Sequence, residues 1–111
     1  MEIEERFAGL VEQFATVPDV QSPRESGRRA FGSEALKVNG SIFAMVTDGR
    51  LVVKLPRERV DALIAGGTGA PFGAGKGRPM KEWVSIVGDD EETWLTLAQE
   101  ALAFVRSRSG R

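Results

Sequence analysis

The chain contains neither cysteine nor histidine. Without thiols, disulfides, thiolate nucleophiles and iron–sulfur ligation are excluded. Without imidazole, the commonest general acid/base near neutral pH and the commonest transition-metal ligand are missing, and Ser-His and Cys-His nucleophile systems are ruled out. Carboxylates and lysines remain available for proton transfer, so the expectation is a protein that is not an enzyme, with no catalytic residues and no cofactor. Long apolar runs are lacking too. No stretch approaches the roughly 20 apolar residues that cross a bilayer. The start, Met1-Glu2-Ile3-Glu4-Glu5, has neither the basic nor the apolar region of a secretory signal. These absences predict a cytoplasmic protein with no membrane attachment.

Charge of one sign is also scarce, since the formal net charge is −1 over 111 residues. The even total hides a segregation. Residues 20–88 carry eleven Lys/Arg against six Asp/Glu, whereas residues 1–19 and 89–111 are both acidic on balance. A nucleic-acid surface of the usual kind comes with a pI above about 9 and a clustered basic face. The sequence pI here is about 5.5, so binding to nucleic acid is expected to be weak or absent. An apolar content of 41% with 28% charged residues is ordinary for one folded domain of this length.

Residues 2–15 space Ile3, Phe7, Leu10, Val11 and Phe14 along one helical face. Pro18 and Pro23 with Asp19, Ser22, Ser26 and Gly27 mark a loop. From Glu34 the period becomes that of strands, and Asn39-Gly40 and Asp48-Gly49 are tight-turn signals. The spacing predicts a meander over 34–38, 41–47 and 50–55. A two-residue turn at Asp48-Gly49 sets Val46 opposite Leu51, Ala44 opposite Val53 and Ile42 opposite Leu55, one apolar face. Phe43, Met45 and Val52 then look outward, and a soluble chain with such a patch is expected to pair with a second copy. They are the candidate homodimer interface, while other protein partners stay open.

Pro56 suits the first turn of a short helix carrying Val60, Leu63 and Ile64. Residues 66–79 form a glycine-rich connection, and Lys81 to Val87 read as a fourth strand with Trp83 as a core anchor. Asp89-Asp90-Glu91-Glu92 open a final helix, Asp89 and Glu92 having capping-box spacing. Helix-start electrostatics account for these acids, and without EF-hand spacing no metal is expected. The result is an α+β fold in a single domain over 1–111, with element order α-β-β-β-α-β-α.

Glycine-rich backbone can wrap an anion with its N–H groups. Gly75, Lys76, Gly77 and Arg78, joined by Arg28 and Arg29, are therefore the candidate anion or ligand site. The Walker pattern fails, because Ala70 stands where its first glycine should be and Gly77 where its Ser/Thr should be. A structural connector is the competing reading of the loop, and solvated charge is the competing reading of the arginines.

Four stretches carry a family likeness: Arg29-Ala30-Phe31-Gly32, Lys37-Val38-Asn39-Gly40-Ser41-Ile42-Phe43-Ala44, Asp48-Gly49-Arg50-Leu51-Val52-Val53-Lys54-Leu55, and Gly75-Lys76-Gly77-Arg78-Pro79-Met80-Lys81-Glu82-Trp83-Val84. In this order the chain resembles the TfoX N-terminal domain family, with Ala30 standing where methionine is expected. The first hairpin is also similar to the MmcQ/YjbR-like group. The resemblance implies a two-layer α+β domain, a four-stranded antiparallel sheet with helices on one face. It implies no established catalysis. It suggests a non-enzymatic regulatory or protein-interaction module of the kind found in competence regulators, the alternative being a small-ligand or anion binder on loop 66–79.

Overall fold

The computed structural model describes residues 3–21, 34–47, 49–73, 79–88 and 90–109. Its elements run α1 (Ile3–Gln13), β1 (Val20–Gln21), β2 (Glu34–Val38), β3 (Ser41–Thr47), β4 (Arg50–Lys54), α2 (Arg57–Ala65), β5 (Gly69–Gly73), β6 (Pro79–Ile86) and α3 (Glu91–Ser109). The α+β class is as expected, but the sheet has six strands and not four, in the order β1-β2-β3-β4-β6-β5, every neighbour antiparallel.

The two additional strands are edges. β1 is two residues long and pairs Val20 with Val38 and Gln21 with Lys37. β5 lies within the glycine-rich stretch and pairs with β6 from Gly69↔Ile86 to Gly73↔Pro79. Its Pro71 sits on the outermost strand, where a missing N–H costs least. Gly69 answers to packing, since a Cβ there would meet Val84 Cγ2 at 2.5 Å and Leu63 Cβ at 3.3 Å. Part of the glycine content of 66–79 therefore lets an edge strand close on α2 and β6.

Turn chemistry sets the meander. Asn39 and Gly40 both have positive φ, 53° and 82°, as a two-residue hairpin turn requires. Across β3 and β4 the expected register holds, with Val46↔Leu51 and Ala44↔Val53. Across β2 and β3 it breaks: Leu36 faces Ala44 and Lys37 faces Ile42, so Phe43 is an extra residue in β3. A bulge of this kind interrupts side-chain alternation.

That bulge overturns the expected outward patch. Phe43 is fully buried in the core cluster and lies edge-on to Phe14, ring centroids 5.6 Å apart. Ile42, expected inside, is half-buried opposite the exposed Lys37. Val52 is also buried, at 1% exposure, though outside the main cluster, and Met45 is half-buried. Of the three residues assigned to a dimer interface, only Met45 retains appreciable exposure.

The core row across the sheet is Leu36, Ala44, Val53 and Val84, all fully buried. The same cluster takes in Phe7, Leu10, Val11 and Phe14 from the α1 region, Val60 and Leu63 of α2, and Trp94, Leu97, Ala98, Ala101, Leu102 and Val105 of α3. Full burial of each larger side chain contributes about 1.5–3 kcal/mol. Pro56 precedes α2 as its N-cap residue. α3 is capped by Asp90, one residue later than expected: its Oδ2 accepts from the Thr93 backbone N–H and hydroxyl, both at 2.9 Å. Asp89 lies outside the described residues. Trp94 Nε1 donates to the Gly88 carbonyl at 3.1 Å and ties the helix start to the end of β6.

Candidate functional site

Arg28, Arg29, Gly75, Lys76, Gly77 and Arg78 lie outside the described residues. Two other surfaces, neither singled out by motif, gather polar groups.

The first is an open groove of about 690 Å³ where α1, the turn after α2 and the start of α3 meet, lined by Arg6, Gly67, Thr68, Val87, Gly88, Asp90, Glu91 and Thr93. Gly67 and Gly88 have φ of 85° and 89°. The Val87 N–H donates to the Thr68 carbonyl at 2.9 Å, which clamps the two walls. Arg6 Nη1 lies 3.2 Å from Glu91 Oε1, while Arg6 Nε is buried without a hydrogen-bond partner. The Asp90 carboxyl is held below its ordinary range, first by the Thr93 backbone N–H, then by the Thr93 hydroxyl, with the Arg6 charge adding to both. An ionised cap and a half-spent guanidinium make a polar lip, and Asp90 is not placed to release a proton near neutral pH. Among the described residues no group of three or more acidic side chains is positioned to hold a metal ion.

The second surface is the sheet face that carries Met45. One row runs Ala35, Met45, Val52, Ser85 and Ala70 across five strands. Lys54 pairs directly with Trp83, and its ammonium lies 5.7 Å from the indole centroid. Phe72 of β5 approaches Trp83 with centroids 6.5 Å apart, tilted by 54°. By the two-residue alternation of strands, Lys81 shares the side of Trp83, Arg50 that of Val52, and Lys37 that of Ala35. Lys37, Arg50 and Lys81 are exposed, and Lys54, Trp83 and Phe72 are half-buried.

The ion pairs divide these cations from the others. Arg6 pairs with Glu91, Arg59 with Glu100, Arg106 with Asp19 and Arg108 with Glu82. Each of these four arginines belongs to a helix. Among the described residues, Lys37, Arg50, Lys54 and Lys81 on the Met45 face have no carboxylate partner, nor has Arg57 of α2. Glu82 alternates with Trp83 to the opposite side, where Arg108 Nη1 donates to both its oxygens at 2.9 Å. The signal for this face is present in the sequence as Lys81-x-Trp83 and Lys54, but it becomes readable only once β4 is known to neighbour β6.

Compared with known protein families, residues 12–105 match the TfoX N-terminal domain. No curated protein and no solved structure matches the chain. The matched span runs from the end of α1 through the whole sheet to the last turns of α3, and the chain belongs to the TfoX N-terminal domain family.

Proposed function

We propose that this chain is a non-enzymatic regulatory or interaction module that works by presenting a surface to another macromolecule. The observation that carries the reading is the unequal use of charge: the helix arginines other than Arg57 are neutralised within the chain, whereas the cations of the Met45 face are left for an external partner. Membership of a family found in competence-regulator-like proteins supports a regulatory context. Among the described residues, the carboxylates with shifted pKa, Asp19 and Asp90, both move down, away from the range useful for general acid catalysis at neutral pH. We read the helices as covering the core row from one side; on the Met45 side Val52 and Ser85 in the middle are buried, and the presented part is the end that carries Lys37, Lys54, Lys81, Trp83 and Phe72. A cytoplasmic setting fits these features, and no described helix is long and apolar enough to cross a membrane.

A homodimer through the Met45 face is the weaker form of this proposal. Phe43 and Val52 are buried within one chain, and facing copies would bring two sets of like-charged lysines into one interface. The partner we favour is therefore a different molecule. The alternative of a small ligand or anion is favoured by one feature, the groove in which Gly67 and Thr68 of the glycine-rich stretch stand beside Arg6 with its unpartnered Nε. Native mass spectrometry of the protein purified from its own cells distinguishes these readings. The expected result is a complex of fixed stoichiometry with a second macromolecule. A lone chain carrying one constant small mass would transfer the function to the groove and loop 66–79.

A further inference from the structure

From the chemistry of the Met45 face, and resting on the interaction-module reading above, we infer that its macromolecular partner is single-stranded nucleic acid, bound across the strands at the end of the sheet that holds Lys37, Lys54, Lys81, Trp83 and Phe72. Lys37 of β2 and Lys54 of β4 are separated by one strand, and β6 with Lys81 and Trp83 is the next neighbour. Neighbouring strands lie about 4.8 Å apart, so Lys37 and Lys54 lie in a row across the strands that continues at Trp83, and Lys81, two residues further along β6, makes the cationic band oblique to the strands. Such a band fits an extended polyanion better than a compact anion.

Three observations select the partner. Among the strand side chains with described surroundings, the one carboxylate is that of Glu82, which is turned away from this face onto Arg108. Lysines without internal carboxylates suit phosphates, and the distribution of charge decides local potential even when the net charge is −1. Trp83 and Phe72 supply two half-buried rings beside those lysines, which matches the way sequence-tolerant single-strand binders combine a cationic track with rings on which bases stack. Duplex DNA, with its bases already stacked, offers the phosphates but not the free base faces. An acidic protein would use the lysines and leave the rings without a matching contact.

The test is fluorescence anisotropy with a labelled 15-nucleotide oligo(U), its oligo(dT) counterpart, a duplex of the same length and poly-glutamate as probes, at low and at physiological salt. Single strands should bind more tightly than duplex or poly-glutamate. With three lysines engaged, log K should fall with log salt at a slope of about −2, from about 0.7 per phosphate neutralised on a single strand. The double change Lys54→Glu and Lys81→Glu should weaken binding at least tenfold and flatten that slope. Trp83→Ala should weaken it by about 5- to 150-fold, the worth of one stacked base. Arg57→Glu, on α2, should change nothing. Circular dichroism checks that each variant folds. If Trp83→Ala does not, the lysine variant and quenching of tryptophan emission by oligo(U) in the parent carry the test. Equal affinity for duplex, preference for poly-glutamate, or no single-strand binding at low salt would overturn the inference while leaving an interaction module intact. Shortening of the oligonucleotide on a gel would contradict the non-enzymatic reading instead, while tight binding to single strands would still uphold the face.

Discussion

Asp19 and Arg106 show how a single charge pair ties distant parts of the chain together. The guanidinium donates to both carboxylate oxygens at 2.8 Å, across 87 residues of sequence. Those hydrogen bonds are the largest cause holding the Asp19 carboxyl below its ordinary value. A depressed folded-state pKa means the stabilisation is fully present above the unfolded value, near pH 4, and is lost as pH falls through the folded one. Asp90 shifts in the same direction, chiefly through the Thr93 N–H. Melting curves at pH 7 and pH 3 should therefore show a smaller acid-induced drop for Asp19→Asn than for the parent, and an unchanged drop would remove Asp19 from the acid transition. None of this pairing was legible in the sequence, because Asp19 reads as a loop residue and Arg106 as a favourable charge at a helix end. The cap was legible to within one residue: four consecutive acids announce a helix start, but only backbone geometry selects Asp90.

Glycines make a second residue-scale contrast. At Gly69 an added Cβ would collide with Val84 Cγ2, whereas at Gly9 in α1 nothing lies within 4 Å. Gly69→Ala should cost about 1–3 kcal/mol as overpacking. Gly9→Ala should stabilise by about 0.5–1 kcal/mol, since alanine restricts the unfolded chain and suits a helix. Denaturant titration of both variants checks the signs, and a neutral Gly69→Ala would mean that β5 has room for a Cβ against Val84 and Leu63. In the sequence these glycines look alike, and a glycine-rich run reads first as a connector and second as an anion loop.

At the scale of elements, periodicity carried the helices and the central hairpin. Phe7, Leu10, Val11 and Phe14 fall on one buried stripe, and Val46↔Leu51 and Ala44↔Val53 follow from the two-residue connection between Thr47 and Arg50. The bulge at Phe43 escaped because the β2–β3 turn was legible while the extra residue within β3 was not. One inserted residue moved a phenylalanine from the expected surface into the core and sent Ile42 the other way. Phe43→Ala should thus cost about 3–5 kcal/mol, the range for a fully buried phenylalanine. Phe43→Glu should fail to fold instead of splitting a dimer. A well-folded Phe43→Glu protein with parent-like chemical denaturation would show that Phe43 faces outward after all. The edge strands were hidden for different reasons: β1 is too short to alternate, and β5, apart from Phe72, is built from glycine, alanine and proline, residues depleted in strands.

For the whole molecule, the decisive feature is where charge is spent. Overall composition pointed away from nucleic acid because the total is near zero, and totals conceal the separation of a paired helical surface from an unpaired sheet face. That separation depends on the neighbour relation of β4 and β6, strands joined through α2 and β5, so a linear reading could not assemble it. The most direct test is a two-dimensional ¹⁵N–¹H NMR titration of the intact chain with oligo(U). The largest shift changes should fall on Lys37, Lys54, Lys81, Phe72 and both the backbone and indole N–H of Trp83. Changes confined to Arg6, Thr68 and Val87 to Thr93, or no changes at all, would contradict that placement.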